Sequence, residues 1–97
     1  MRIITTKKLS DFWEKHRDVE GELKAWIYEI EQRNWNSTQD VKHRFRTADF
    51  IPGNRVVFNI KGNRYRLIVC IHYNTGIIFI RFIGTHAEYE RVNAETI

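Results

Sequence analysis

Hydrophobic residues recur along this chain with two different periods, and the change of period divides it. Leu9, Phe12, Trp13 and His16 fall at helical spacing, and Leu23, Trp26, Ile27 and Ile30 form a second stripe of the same kind. Asp18 stands where a carboxylate can cap that second helix. The pattern breaks from Asn34 to Ser37. "STQDVKHRF" then reads as a short helix capped at Ser37, with Lys42, His43 and Arg44 near its end. "DFIPGN" reads as a turn punctuated by Pro52 and Gly53. From there the period drops to two. Arg55–Lys61, Arg64–Asn74 and Ile77–Ile83 are predicted strands, joined by tight turns at Gly62-Asn63 and Thr75-Gly76. Residues 2 to 4 allow one more short strand. The expectation is a single domain over residues 1–97, of α+β class. N-terminal helices pack on one face of a twisted antiparallel sheet of three to four strands.

Turn positions fix the register of a hairpin, so the pairing can be worked out. With Gly62-Asn63 as the loop, Ile60 faces Tyr65, Phe58 faces Leu67 and Val56 faces Val69. With Thr75-Gly76 as the loop, Tyr73 faces Ile78, Ile71 faces Ile80 and Val69 faces Phe82. All of these residues share one apolar face, which is therefore the face the helices cover. The opposite face carries Arg55, Asn59 and Lys61, then Arg64, Arg66, Cys70 and His72, then Arg81. Asn59 lies across from Arg66, and Arg66 from Thr85. The segment "GTHAEY" should thus meet Asn59, Lys61, Arg64 and Arg66 at one end of the sheet.

Charge adds to this picture through its distribution. Sixteen Lys and Arg against twelve Asp and Glu leave a net charge of only +4. Yet between Val41 and Gly84 the one acid is Asp49, whereas Lys42, Arg44, Arg46, Arg55, Lys61, Arg64, Arg66 and Arg81 all fall there. Such segregation predicts a basic surface for an anionic partner, nucleic acid first. Cys70 stands alone, which excludes a disulfide framework, and four scattered histidines without a cysteine pair give no zinc-site pattern. No metal or other cofactor is expected. No apolar run reaches membrane-spanning length, and the one at the start is too short for a signal peptide, so a cytoplasmic protein without membrane contact is expected.

"GTHAEY" has a structural role open to it. Thr85-x-x-Glu88 is a capping box, and Gly84 lets the chain turn into the helix it starts. Capping uses neither His86 nor Tyr89, which lie on one side of that helix. RNA carries its own nucleophile, the 2′-hydroxyl. Cleavage needs a base for that proton, cations for the phosphate oxygens and an acid for the leaving 5′ oxygen, with no metal. A His or Tyr beside Arg and Lys is the minimum set.

"RVVFNIKGNRYRLIV" and "IIFIRFIGTHAEYERV" together resemble the HigB family of toxins from bacterial toxin–antitoxin pairs, within the RelE/ParE-like superfamily. The N-terminal "MRII…KKL..FW.KH.D.E..L..W" and the central "W.S..DVK..F..ADF" fit as well, in order, so the similarity runs nearly end to end. The resemblance implies a compact α+β domain whose sheet cradles mRNA. It also implies a ribosome-dependent endoribonuclease acting in the ribosomal A site. The implied partner is a HigA-like helix-turn-helix antitoxin, through which alone the pair reaches operator DNA. By the same resemblance, Arg66 and Lys61 match phosphate and transition-state stabilisers, and His86 and Tyr89 fall where the superfamily places its acid and base groups. Arg55, Asn59, Arg64 and Arg81, with Lys42 and Arg44, would hold RNA or ribosomal RNA. "YER" replaces a common "YD[KR]" ending, a conservative change. Two rivals remain on the same residues. One is a ParE-like gyrase poison, which needs no acid/base pair. The other is a non-catalytic RNA-binding domain.

Overall fold

A computed structural model describes residues 1–97. A short strand β1 (Arg2–Ile4) leads into helix α1 (Thr6–Lys15), a single 3-10 turn (Arg17–Val19) and helix α2 (Glu20–Glu31). Helix α3 (Thr38–Arg44) precedes four strands: β2 (Asp49–Ile51), β3 (Arg55–Ile60), β4 (Tyr65–His72) and β5 (Ile77–Thr85). One turn of helix, α4 (His86–Tyr89), follows directly. The class is α+β as expected, but the sheet has five strands in the order β1-β5-β4-β3-β2. It is mixed, because β1 runs parallel to β5. Strand β2 lies inside the stretch read as a turn. Asp49, Phe50 and Ile51 pair with Val57, Val56 and Arg55, and only Pro52–Asn54 turn. Three residues are too few to display a period of two.

The first hairpin has the expected register, with Ile60 facing Tyr65, Asn59 facing Arg66 and Val56 facing Val69. Lys61 and Arg64 belong to its turn rather than to its strands. Arg64 N–H donates to the Lys61 carbonyl at 3.2 Å, and both Lys61 and Gly62 adopt left-handed φ, at 56° and 67°. The second hairpin differs. Its loop is Tyr73–Gly76, closed by the Gly76 N–H on the His72 carbonyl at 2.9 Å. Ile71 therefore faces Ile78 and Val69 faces Ile80. A two-residue shift leaves every side chain on its face, so the core survives the change. A bulge at Arg81 then moves the phase back by one residue, and pairing resumes with Ile68 facing Phe82. Phe82 thereby leaves the helix-covered face, and Arg66 comes to face Gly84, one residue before the expected Thr85.

Alternation along β3 to β5 puts Val56, Phe58, Ile60, Leu67, Val69, Ile71, Ile78 and Ile80 on one buried face. Leu9 of α1 and Leu23, Trp26 and Ile30 of α2 pack onto it, as their helical stripes require. Aromatic contacts close one end, with Phe58 edge-on to Trp26 at 5.4 Å and to Phe45 at 5.0 Å between ring centres. Ser37 caps α3 as expected, accepting from the Asp40 N–H at 3.3 Å. Asp18 does not cap α2. Its side chain leaves the 3-10 turn towards the start of β4.

Leu67 sits at the centre of the buried row with no exposed surface. Leu67→Ala should lower unfolding free energy by about 2–5 kcal/mol, by lost burial and a residual cavity. Urea titration should show a lower midpoint at unchanged slope.

Candidate active site

The face of the sheet turned away from the helices ends at a cluster built from β3, β4 and α4. Arg66 lies on it between Asn59 and Gly84. Its guanidinium donates to the Asn63 carbonyl at 3.1 Å and lies 5.6 Å from the centre of the Tyr89 ring. A cation at that distance from a phenol is held by the ring's negative face. Helix α4 brings the ring there. Thr85 Oγ1 accepts from the Glu88 N–H at 3.2 Å, and Glu88 accepts from the Thr85 N–H at 2.8 Å, completing the capping box. Gly84 is needed for space rather than for turning. A methyl group there would stand 2.5 Å from Cζ of Phe82 and 3.0 Å from the Glu88 carboxylate.

His86 opens α4 and is half exposed. Its main-chain N–H donates to the Arg64 carbonyl at 3.0 Å, and its Nε2 lies 3.0 Å from a Glu90 carboxylate oxygen. Glu90 is thus a candidate missed in the sequence. The spacing i, i+4 on a helix was the available signal. A carboxylate in that position can accept from the imidazole and orient its ring.

The remaining basic candidates divide by partner. Asn59 donates to the Thr47 carbonyl at 3.4 Å and shares a groove of about 240 Å³ with Arg44, Trp26 and Phe58. Arg44 itself pairs with Glu29 at 3.1 Å, and Lys42 donates to the Ala48 carbonyl at 2.9 Å. Lys61 and Arg64 were expected on the outer face. Their side chains instead turn back to the 3-10 turn, Lys61 Nζ onto the Asp18 carbonyl at 3.0 Å and Arg64 onto the Asp18 carboxylate at 3.0 Å. The reason is their place in the turn, where side chains no longer alternate with the pleat. Arg55 and Arg81 do lie on the outer face, and both donate to the main-chain oxygen of Ile97, at 2.7 Å and 3.2 Å. The segment after α4 therefore reaches across this face. Val57 and Ile68, which point away from the helices, are closed to solvent. No group of three or more His, Cys, Asp or Glu side chains is gathered to hold a metal ion.

Residues 19–92 match the HigB_toxin family, the RelE-like toxic component of a toxin–antitoxin system. The chain belongs to the HigB toxin family. The match takes in β3, β4, β5 and α4, and with them Lys61, Arg66, His86 and Tyr89. Relatives 29 % identical over 92 residues, 93 % of this chain and 88 % of theirs, include the mRNA interferase toxin HigB of Escherichia coli K12. The mRNA interferase HigB proteins of Escherichia coli O157:H7 and Shigella flexneri match equally. No helix of this HigB-family chain is long and apolar enough to cross a membrane.

Four carboxylates, two of them beside the site and two on the helical layer, are held by hydrogen bonds and cations and are perturbed accordingly. Asp18 titrates below the usual carboxylate range, chiefly through the Tyr65 hydroxyl and then Arg64. Glu88 does so through the Thr85 N–H, Glu20 through Lys24 and Glu29 through Arg44. Groups lowered in the folded state stabilise it above their unfolded pKa and stop doing so as pH falls through the folded one. Thermal midpoints should hold from neutrality to about pH 5 and fall as pH drops below about 4. A midpoint unchanged at pH 3 contradicts this. Thr85→Ala removes one half of the capping box and should cost about 1 kcal/mol. Its visible effect should be faster amide exchange in residues 86–89.

Proposed function

We propose that this HigB-family toxin is an mRNA endoribonuclease that acts on ribosome-bound message and so inhibits translation. The observation that carries the reading is the Arg66 guanidinium, 5.6 Å from the Tyr89 ring, at the end of the basic sheet face where α4 presents His86 paired with Glu90. The names of the relatives, mRNA interferases all, point the same way.

In this reaction the 2′-hydroxyl gives its proton to a base and its oxygen bonds to phosphorus. The bond from phosphorus to the 5′ oxygen breaks, and that oxygen leaves with a proton from an acid. The products are a 2′,3′-cyclic phosphate and a 5′-hydroxyl end. His86, oriented by Glu90, and Tyr89 divide the proton transfers. Arg66 stabilises the charge that grows on the phosphate oxygens, and a guanidinium fits two of them at once. Lys61 and Arg64, whose side chains turn back to Asp18, brace the turn beneath it, and Asn59, Arg55 and Arg81 mark a path for the RNA backbone along the sheet. Lys42 and Arg44 extend that path towards α3. No step calls for a metal or other cofactor. The substrate sets the place of action in the cytoplasm, and a HigA-like helix-turn-helix antitoxin is the natural partner, linking the pair to operator DNA.

Mapping of mRNA 5′ ends after brief expression without antitoxin tests this reading. Wild type should produce new 5′-hydroxyl ends at fixed positions within translated codons. His86→Ala and Tyr89→Phe should weaken these cuts by about 10²-fold or more, in line with loss of a proton-transfer group. Arg66→Ala should abolish them while the protein stays folded and binds antitoxin. Growth arrest without new ends removes the nuclease reading and directs attention to DNA gyrase.

A further inference from the structure

The Lys61–Arg64 turn supports the site from below. Its Asn63 carbonyl accepts from the Arg66 guanidinium, and its Arg64 carbonyl accepts from the His86 N–H. Two groups assigned to the reaction thus depend on one short loop. That loop has left-handed φ at Lys61, which a residue with a Cβ adopts only when neighbours hold it.

The hold comes from the helical layer. Asp18 Oδ2 accepts from Arg64 Nη1 at 3.0 Å, and the same carboxylate lies 2.8 Å and 3.0 Å from the Tyr65 hydroxyl. The Asp18 carbonyl takes Lys61 Nζ at 3.0 Å. Glu22, at the first turn of α2, accepts from the Lys61 N–H. One residue therefore grips both ends of the turn, and Glu22 adds a second grip at Lys61. Tyr65 fixes the level of the carboxylate, since its ring is buried against Phe12 and His16 while its hydroxyl emerges at Asp18. Side chains of Asp18 and Arg64 are 36 % and 65 % exposed. An exposed pair of this kind adds little to stability, so the contact matters for direction more than for strength.

We propose that Asp18 is a positioning residue for RNA cleavage: it fixes the Lys61–Arg64 turn, and through the Asn63 and Arg64 carbonyls it sets where Arg66 and His86 stand. This rests on the nuclease reading above. Asp18 touches no reacting atom in this scheme. It lies 48 residues before Arg66 in sequence and acts from the layer behind the sheet.

The test compares wild type, Asp18→Ala and Asp18→Asn on ribosomes programmed with a defined mRNA, under single-turnover conditions at saturating toxin. Asp18→Asn keeps an acceptor for the Tyr65 hydroxyl but loses the charge that holds Arg64, so it answers the question even where alanine weakens folding. Asp18→Ala should lower the cleavage rate about tenfold to a hundredfold, the scale of a small misplacement of reacting groups. Asp18→Asn should lie between it and wild type. Affinity for programmed ribosomes should stay the same or rise, since an acid has been removed beside two cations. Exchange of the His86 amide should quicken in both variants. Wild-type rates in both variants overturn the proposal. So does a rate that falls only in step with melting temperature and affinity, with His86 exchange unchanged. Wild type that cuts nothing overturns the nuclease reading, and the role of Asp18 with it.

Discussion

One row of side chains, Tyr65, Leu67, Val69 and Ile71 on β4, sets the terms for everything else in this molecule. It is buried along its whole length by helices on one side and flanked by β3 and β5 in the sheet. A strand has only two faces, so burying these four residues forces Arg66, Ile68, Cys70 and His72 to the other. Arg66 owes its place on the outer face to the burial of its neighbours. The requirement that fills the core is therefore the one that presents the cation.

This is why so much could be read in advance. Asn59 opposite Arg66 follows from alternation and one turn, and both were legible. The phase of β5 was not. "IIFIRFIG" contains a single charged residue, and Phe82 and Ile83 are both apolar, so either phase buries something suitable and the bulge at Arg81 leaves no trace in composition. Turn residues escaped for a different reason. Lys61 and Arg64 sit where the pleat ends, and their partner Asp18 lies more than forty residues away. A carboxylate before a helical stripe looks like a cap, and only the tertiary contact with Tyr65 shows otherwise. Glu90 was within reach, four positions after His86.

The basic surface is less uniform than its residue count suggests. Arg44 and Arg64 face carboxylates, and their charge is largely cancelled locally. Lys42 and Lys61 are held by carbonyl oxygens, which orient a cation without neutralising it, whereas Arg55 and Arg81 share the main-chain oxygen of Ile97. Arg66 is held by a carbonyl and an aromatic ring. A polyanion approaching the outer face therefore meets Arg66, which pairs with no carboxylate, and on the same face Arg55 and Arg81. At Arg55 and Arg81 it must also exchange with the Ile97 oxygen, so contact there replaces one hydrogen bond by another.

The bulge at Arg81 divides β5 into two lengths that answer to different neighbours. Ile77–Ile80 belongs to the core and to β1, whereas Phe82–Thr85 lends Ile83 to the core and otherwise leads to Arg66 and α4. A residue that pairs with nothing absorbs the mismatch between them. The second length is held in register by Leu67 opposite Ile83 and Arg66 opposite Gly84, and it hands that register on to α4 through the His86 N–H on the Arg64 carbonyl. Within one continuous strand the fold thus joins a length set by the sheet edge to a length that positions α4, and one unpaired residue reconciles the two phases.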